Sequence, residues 1–404
     1  MRRFGPGFIV AAAFIGPGTV TTASLAGARH GYRLLWCLIF AVFAAVVLQE
    51  MAGRLGLVAR RGLAQALRES FSTPLLRASV VFIVVCAIVA GNAAFQTGNI
   101  LGAAVGADLL TSGGLSWSVA GISAFSFVAL WTGRYRTLER LLVALVLAMS
   151  GMFVLSMLLV GPDLGAIVRA SLPPTLPPAA ALTALALVGT TVVPYNLFLH
   201  SRSVMEKWPA GLPPGEALRA SRIDTVAAIV GGGFVTFAVL CTASVAFRGL
   251  DSTSIGLPEM AAQLEPVAGG IARSLFACGL LAAGTTSAIT APLAAAYAAS
   301  DAFAWNEGLE GRRTRSVWML VLLAGSILAL LGKKPVHVIL FAQAANGLIL
   351  PLIAVFLVVA VNQSRLMKGY RNRLWSNLAA SFVVVIATFL GLVQLVKVAQ
   401  AVFG

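Results

Sequence analysis

Ile15-Gly16-Pro17-Gly18-Thr19-Val20 and Val192-Val193-Pro194-Tyr195-Asn196-Leu197 interrupt two runs that are otherwise apolar enough to cross a membrane. Proline inside a helix removes a backbone donor and clashes with the preceding turn. In hydrocarbon the groups so freed must be satisfied by protein or by a polar cavity, so a spanning helix keeps such a break only where something uses it. Paired breaks at corresponding places in two halves of a chain point to the substrate site of a secondary transporter. The two stretches therefore predict helices that stop and restart near the membrane midplane.

Composition supplies the membrane. Of the 404 residues, 59% are hydrophobic and 11% charged, with a mean hydropathy of +0.92. Soluble domains carry about 25% charged residues. The net charge of +15 would suggest nucleic acid in a soluble protein, but here the basic residues sit in loops between apolar spans, which is a topological signal. Nucleic-acid binding is therefore set aside. Cys37, Cys86, Cys241 and Cys278 all lie within apolar spans, without metal-ligand spacing. They imply neither a disulfide framework nor a zinc site, and no cofactor is called for. The spans hold no Ser/His/Asp, paired-carboxylate or His-rich constellation, so an enzyme is not expected.

Runs of about 20 apolar residues fall at 8–28, 34–53, 79–107, 115–132, 141–161, 180–204, 224–247, 270–304, 316–332, 336–362 and 375–396. Strand periodicity is absent, and the reading is an all-α polytopic membrane protein of about eleven transmembrane helices. Most of the 29 lysines and arginines, among them Arg60, Arg61, Arg219, Arg312 and Arg371, fall on one side of that threading. The positive-inside rule then puts the N-terminus in the cytoplasm and the C-terminus outside. The expected location is a prokaryotic inner (plasma) membrane. Ten spans divide into two groups of five, each opening with a broken helix. An odd number of crossings per group inverts the second copy. The expected units are 1–170 (first repeat), 171–362 (second repeat) and 363–404 (an added eleventh helix). The Pro-rich connection at 171–180 is a stiff linker between the repeats.

Several segments resemble Nramp divalent-metal transporters: Gly5-Pro6-Gly7-Phe8-Ile9-Val10 with the first break and Gly31-Tyr32; the run from Val193 to Ser201; and Gln343 and Pro351 in the tenth span, with Arg365 and Lys368 beyond it. The resemblance covers nearly the whole chain and implies a LeuT-like 5+5 inverted repeat with broken helices 1 and 6. It also implies a metal site, and there the chain departs from the pattern. Nramp transporters typically read Asp-Pro-Gly-Asn in helix 1 and Met-Pro-His-Asn in helix 6, where the aspartate, the first asparagine and the methionine coordinate the ion. This chain has Gly16, Thr19 and Val193 at those places. The anionic ligand, the amide ligand and the soft sulfur that suits transition metals are gone. Gln343 and carbonyls near Thr190 and Thr191 remain as oxygen donors. The family's acidic proton-path positions in helix 3 align with Gln96 and Asn99, while His200 keeps the helix 6 position. Amides do not titrate, so coupling by the family's proton route is not expected.

From the residues alone, Gly16 and Gly18 around Pro17 open the start of a half-helix, whose unpaired N–H groups favour anions. Thr19, Thr21 and Thr22 add hydroxyls, or serve only to pack helices closely. Pro194 frees a carbonyl, Tyr195 offers a phenol and Asn196 an amide. The candidate substrate-binding set is Gly16, Gly18, Thr19, Thr22, Val193, Tyr195, Asn196 and Gln343. Such a neutral set suits a hard cation that keeps part of its water, as magnesium does, or manganese. The alternative is a small polar organic solute, such as an amino acid or carboxylate. Glu50 is a possible coupling acid, or else the partner of Arg54 one turn on.

Overall fold

The computed structural model describes residues 15–132, 136–208, 214–249, 255–305, 310–332 and 334–403. Every regular element among the described residues is helical. Ten stretches are long and apolar enough to span a bilayer. One of them, Pro17–Ala59, contains two predicted spans: α1 (Pro17–His30) and α2 (Leu35–Ala59), joined by a single tight turn at Gly31–Leu34. Gly31 takes a φ of 56° there, a left-handed value that suits glycine. Residues 8–14 of the first predicted span lie outside the described residues.

A short amphipathic α3 (Leu63–Ser70) leads to α4 (Pro74–Thr111), which runs 38 residues and exceeds its predicted span at both ends. Then come α5 (Leu115–Thr132), α6 (Arg136–Val160) and the short surface helix α7 (Leu164–Ser171), capped by Asp163. The Pro-rich connection follows, held to α2 where the Trp36 indole donates to the Thr175 carbonyl at 2.9 Å. The sixth predicted span divides into α8 (Ala181–Thr191) and α9 (Pro194–Lys207). The long helices that remain are α10 (Pro214–Ala246), α11 (Ala272–Phe303), α12 (Arg312–Leu331), α13 (Pro335–Asn362) and α14 (Leu374–Phe403), with short helical turns at 259–271 and 364–370.

Helix α11 is rich in alanine and packs most extensively against α4. A side chain at Gly284 would run into the backbone of Asn99 and Ala103, so the helices meet backbone to backbone. Small residues drive such contacts in membranes, where lipid leaves no hydrophobic force between helices. The outer faces are large and apolar: Phe82, Leu158, Leu320, Ile327 and Leu392 are all exposed. On a soluble protein this surface would aggregate; here it meets acyl chains. Cys86 belongs to that outer face, whereas Cys37 and Cys241 are buried. Enclosure is graded. Pro178–Met205, which holds the second break, is 89% buried over its apolar window, against 17% for α5. The broken helix is the axis of the bundle, and α5 is part of its rim.

Candidate functional site

Both breaks are visible in the backbone. Gly16 is extended, at φ −115° and ψ −176°, and Pro17 opens α1. Val192 and Val193 leave helical geometry, at ψ 73° and 120°, before Pro194 opens α9. Proline suits the first position of a helix because its missing N–H has no intrahelical partner in any case. The N-terminal ends of α1 and α9 and the C-terminal end of α8 thus leave backbone groups that the helices themselves do not use.

The breaks touch each other. The Thr19 hydroxyl lies 2.9 Å from the Thr190 hydroxyl, a buried hydrogen bond spanning 171 residues of sequence. Beside it Gln343 of α13 is fully buried, and neither atom of its amide has a hydrogen-bond partner. The amide occupies the space that a side chain at Gly18 would need, and it also reaches Gly98 of α4. Glycine at position 18 lets the amide lie there; a larger residue would push the end of the Gln343 side chain elsewhere. Three helices therefore meet at one carboxamide.

More unpartnered polar atoms belong to the surrounding residues. Tyr195 and Asn196 are almost fully buried, with the phenol oxygen and Asn196 Oδ1 unpaired. So are the hydroxyls of Thr21 and Thr22 on α1 and of Thr285 and Ser287 on α11. Ser287 Oγ would stand 3.3 Å from a Cβ at Gly16, so it borders the position where Nramp transporters carry their aspartate. One wall is apolar: Ile15, Phe95 and Val193 cluster with the Tyr195 ring, which meets Phe95 edge to face at 5.5 Å. Buried polar atoms are usually paired. A concentration of unpaired ones at two helix breaks is the arrangement a ligand or its water completes.

Gln96 and Asn99 lie on the buried face of α4, and the Gln96 amide donates to the Ala288 carbonyl of α11 at 2.9 Å. Gln96 Oε1 and Asn99 Nδ2 are unpaired. His200 faces a different seam, packing on Gly53 of α2 with its Nε2 3.2 Å from the Thr225 hydroxyl of α10. Glu50 is held by two arginines, Arg54 one turn on at 3.2 Å and Arg222 of α10 at 2.8 Å. Among the described residues no three His, Cys, Asp or Glu side chains stand close enough to share a metal.

Sequence reasoning missed Ser287, Thr285 and Phe95. The run Thr285-Thr286-Ser287 inside an alanine-rich span was the available signal. Without knowledge of which face of α11 turns inward, it carried no direction.

A family model for natural resistance-associated macrophage protein-like (Nramp) sequences matches residues 7–397. The divalent metal cation transporter MntH of Pectobacterium carotovorum is 27% identical over 400 residues, covering 98% of this chain and 94% of that protein. A crystal structure of a mutant Eremococcus coleocola manganese transporter superposes with a TM-score of 0.81 at 22% identity, over 99% of this chain and 87% of that one. MhsT, solved in complex with L-phenylalanine, gives a TM-score of 0.62 at 15% identity, over 95% and 98%. At these identities the structural likenesses speak for the fold alone.

Proposed function

The chain belongs to the Nramp family, and on that premise we propose that it carries a divalent cation across the membrane, bound with part of its water at an uncharged midplane site. The observation that carries this reading is the fully buried Gln343 amide, unpartnered and set against the break at Gly18. The unpaired oxygens of Tyr195, Asn196 and Thr22 on the broken helices and of Ser287 beside Gly16 offer acceptors for metal-bound water. Gly16, Thr19 and Val193 leave no anion to offset the desolvation of a bare dication. A hard ion that dehydrates reluctantly, magnesium or else manganese, suits such a set better than a soft transition metal. In this reading Gln96 and Asn99 hold the seam between α4 and α11 without exchanging protons, so transport runs without the family's proton coupling. The repeats are taken as 1–170 and 171–362, with the N-terminus in the cytoplasm and the C-terminus outside.

One observation favours a second reading. Gln343 Nε2 and Asn99 Nδ2 are unpaired donors, and donors face anions or organic polar groups more readily than cations. A small amino-acid or carboxylate solute is the alternative substrate. Flux assays in proteoliposomes with magnesium, manganese and a panel of amino and organic acids separate the two. The expected outcome is magnesium or manganese uptake without acidification of the lumen. Manganese uptake that acidifies the lumen and is blocked by other transition metals would overturn the neutral-site reading. Uptake of an organic acid alone would replace it with the second.

A further inference from the structure

The spans α13 and α14 share an end, and residues 363–373 close it with a cavity of about 250 Å³ lined by Asn362, Lys368, Gly369, Arg371, Asn372 and Arg373. Three of the six are cations, and none is an acid. Basic residues at span ends follow from topology alone, and such side chains ordinarily snorkel singly toward water. Here they converge on one polar concavity, and among the described residues no carboxylate pairs with any of them.

The floor of the cavity is fixed in advance. The Asn372 amide donates to Asn377 Oδ1 at 2.8 Å, and the Asn362 amide donates to the same oxygen at 2.9 Å. Arg54 of α2 donates to Asn372 Oδ1 at 2.6 Å and to the Tyr370 carbonyl at 2.8 Å. Arg54 also holds Glu50, which holds Arg222, so the cavity is continuous with the charge cluster joining α2 to α10. Its depth in the membrane is marked too. Trp375 is 80% exposed and Tyr370 40%, just beside the cations. Exposed tryptophan and tyrosine at a span end settle at the headgroup level.

From these features we infer that the cavity binds a phosphate-bearing anion, with an anionic phospholipid headgroup as the source its depth favours. Basic pockets between membrane helices recognise such headgroups by charge. The ligand neutralises Lys368, Arg371 and Arg373 and tightens the loop against Arg54.

The full chain in neutral detergent tests this by native mass spectrometry, with phosphatidylglycerol and phosphatidylcholine added in turn. Retention of phosphatidylglycerol should exceed that of phosphatidylcholine by about tenfold or more. The variant Lys368→Gln/Arg371→Gln/Arg373→Gln should lose that excess. A variant with equal charge loss elsewhere, Arg219→Gln/Arg312→Gln/Arg313→Gln, should keep it. Inorganic phosphate, compared with chloride at equal ionic strength, should displace the lipid from the unaltered chain. Thermal protection by phosphate with no lipid retained would keep the anion site and assign it to a soluble ligand. Equal retention of both lipids together with no effect of phosphate overturns the proposal, as does equal loss in both triple variants. The phosphate competition decides the matter even if a variant does not fold.

Discussion

Two sets of polar side chains lie between these helices, one at a partly exposed end and one buried, and they are built on opposite terms. At the end of the bundle near α3, Glu50 accepts from Arg54 and Arg222, Arg54 reaches Asn372 and the Tyr370 carbonyl, and Arg202 meets Asp301 at 2.7 Å while lying over the Tyr297 ring. These charged groups have found partners, with Arg54 Nε left unpaired. At the helix breaks and on the helices beside them, Gln343, Tyr195, Asn196, Thr22 and Ser287 are neutral and keep polar atoms unpaired. A satisfied network ties helices together, and removing one member strands the others. An unsatisfied set contributes little to folding, and each of its unpaired groups calls for a ligand, water or other explanation. The first set is scaffold at that end, and the second is the better candidate for contact with a transported species.

The sharpest way to break the contrast is to put charge where there is none. Gly16→Asp with Thr19→Asn and Val193→Met restores the ligands Nramp transporters typically carry, provided the Ser287 hydroxyl, 3.3 Å from a Cβ at Gly16, swings aside by a few tenths of an ångström. Manganese affinity measured by calorimetry should rise by about 100-fold, because an anion and a soft sulfur enter a low-dielectric site. Tight manganese binding by the parent chain would sink the idea of a neutral site. Next in size is Arg54→Leu. It leaves Glu50 with Arg222 alone and strands Asn372 Oδ1 and the Tyr370 carbonyl, so unfolding should become easier by about 2 kcal/mol. A thermal melt that does not move would show that this network is not scaffold.

Gln343→Leu should do the reverse. It removes two unpaired atoms and keeps the bulk, which is close to neutral for stability. Transport should nevertheless fall by about tenfold, the loss of one hydrogen bond to a charged or strongly polar ligand. If stability drops while flux is unchanged, the amide has a structural partner and the contrast fails at its centre.

How legible each set was follows from how far its partners stand apart in sequence. The breaks could be read directly, because proline and glycine act on their own turn, and the apolar runs around them exceed the bilayer thickness by simple count. The pairing of Glu50 with Arg54 was also open to view, being one helical turn apart. Its second partner, Arg222, is 172 residues away and left no trace. Ser287 and Thr285 stayed hidden because α11 is alanine-rich around its circumference, so its sequence has no phase. Gln343 stood out only through the family pattern. That its amide rests on Gly18 is a fact of packing between α13 and α1, which no local rule gives. The cavity at 363–373 was half legible: its basic residues were noted for topology, while the asparagines that shape it looked like an ordinary loop.

The smallest effect tests the buried hydrogen bond between the two breaks. Thr19 and Thr190 join the two breaks by a neutral hydrogen bond at 2.9 Å. Thr19→Val keeps the shape and removes the bond, at a cost of about 1 kcal/mol. If the bond merely packs α1 against α8, the melting temperature falls slightly and transport is unaffected. If it holds the breaks in register for the substrate, apparent substrate affinity should weaken by about fivefold, the same free energy expressed in binding. Thr190→Val should then match it, and the double variant should be no worse than either single one, since both remove the same contact. Additive losses in the double variant would mean that each hydroxyl serves a partner of its own. The bond between Thr19 and Thr190 would then not be what sets the register of the two breaks.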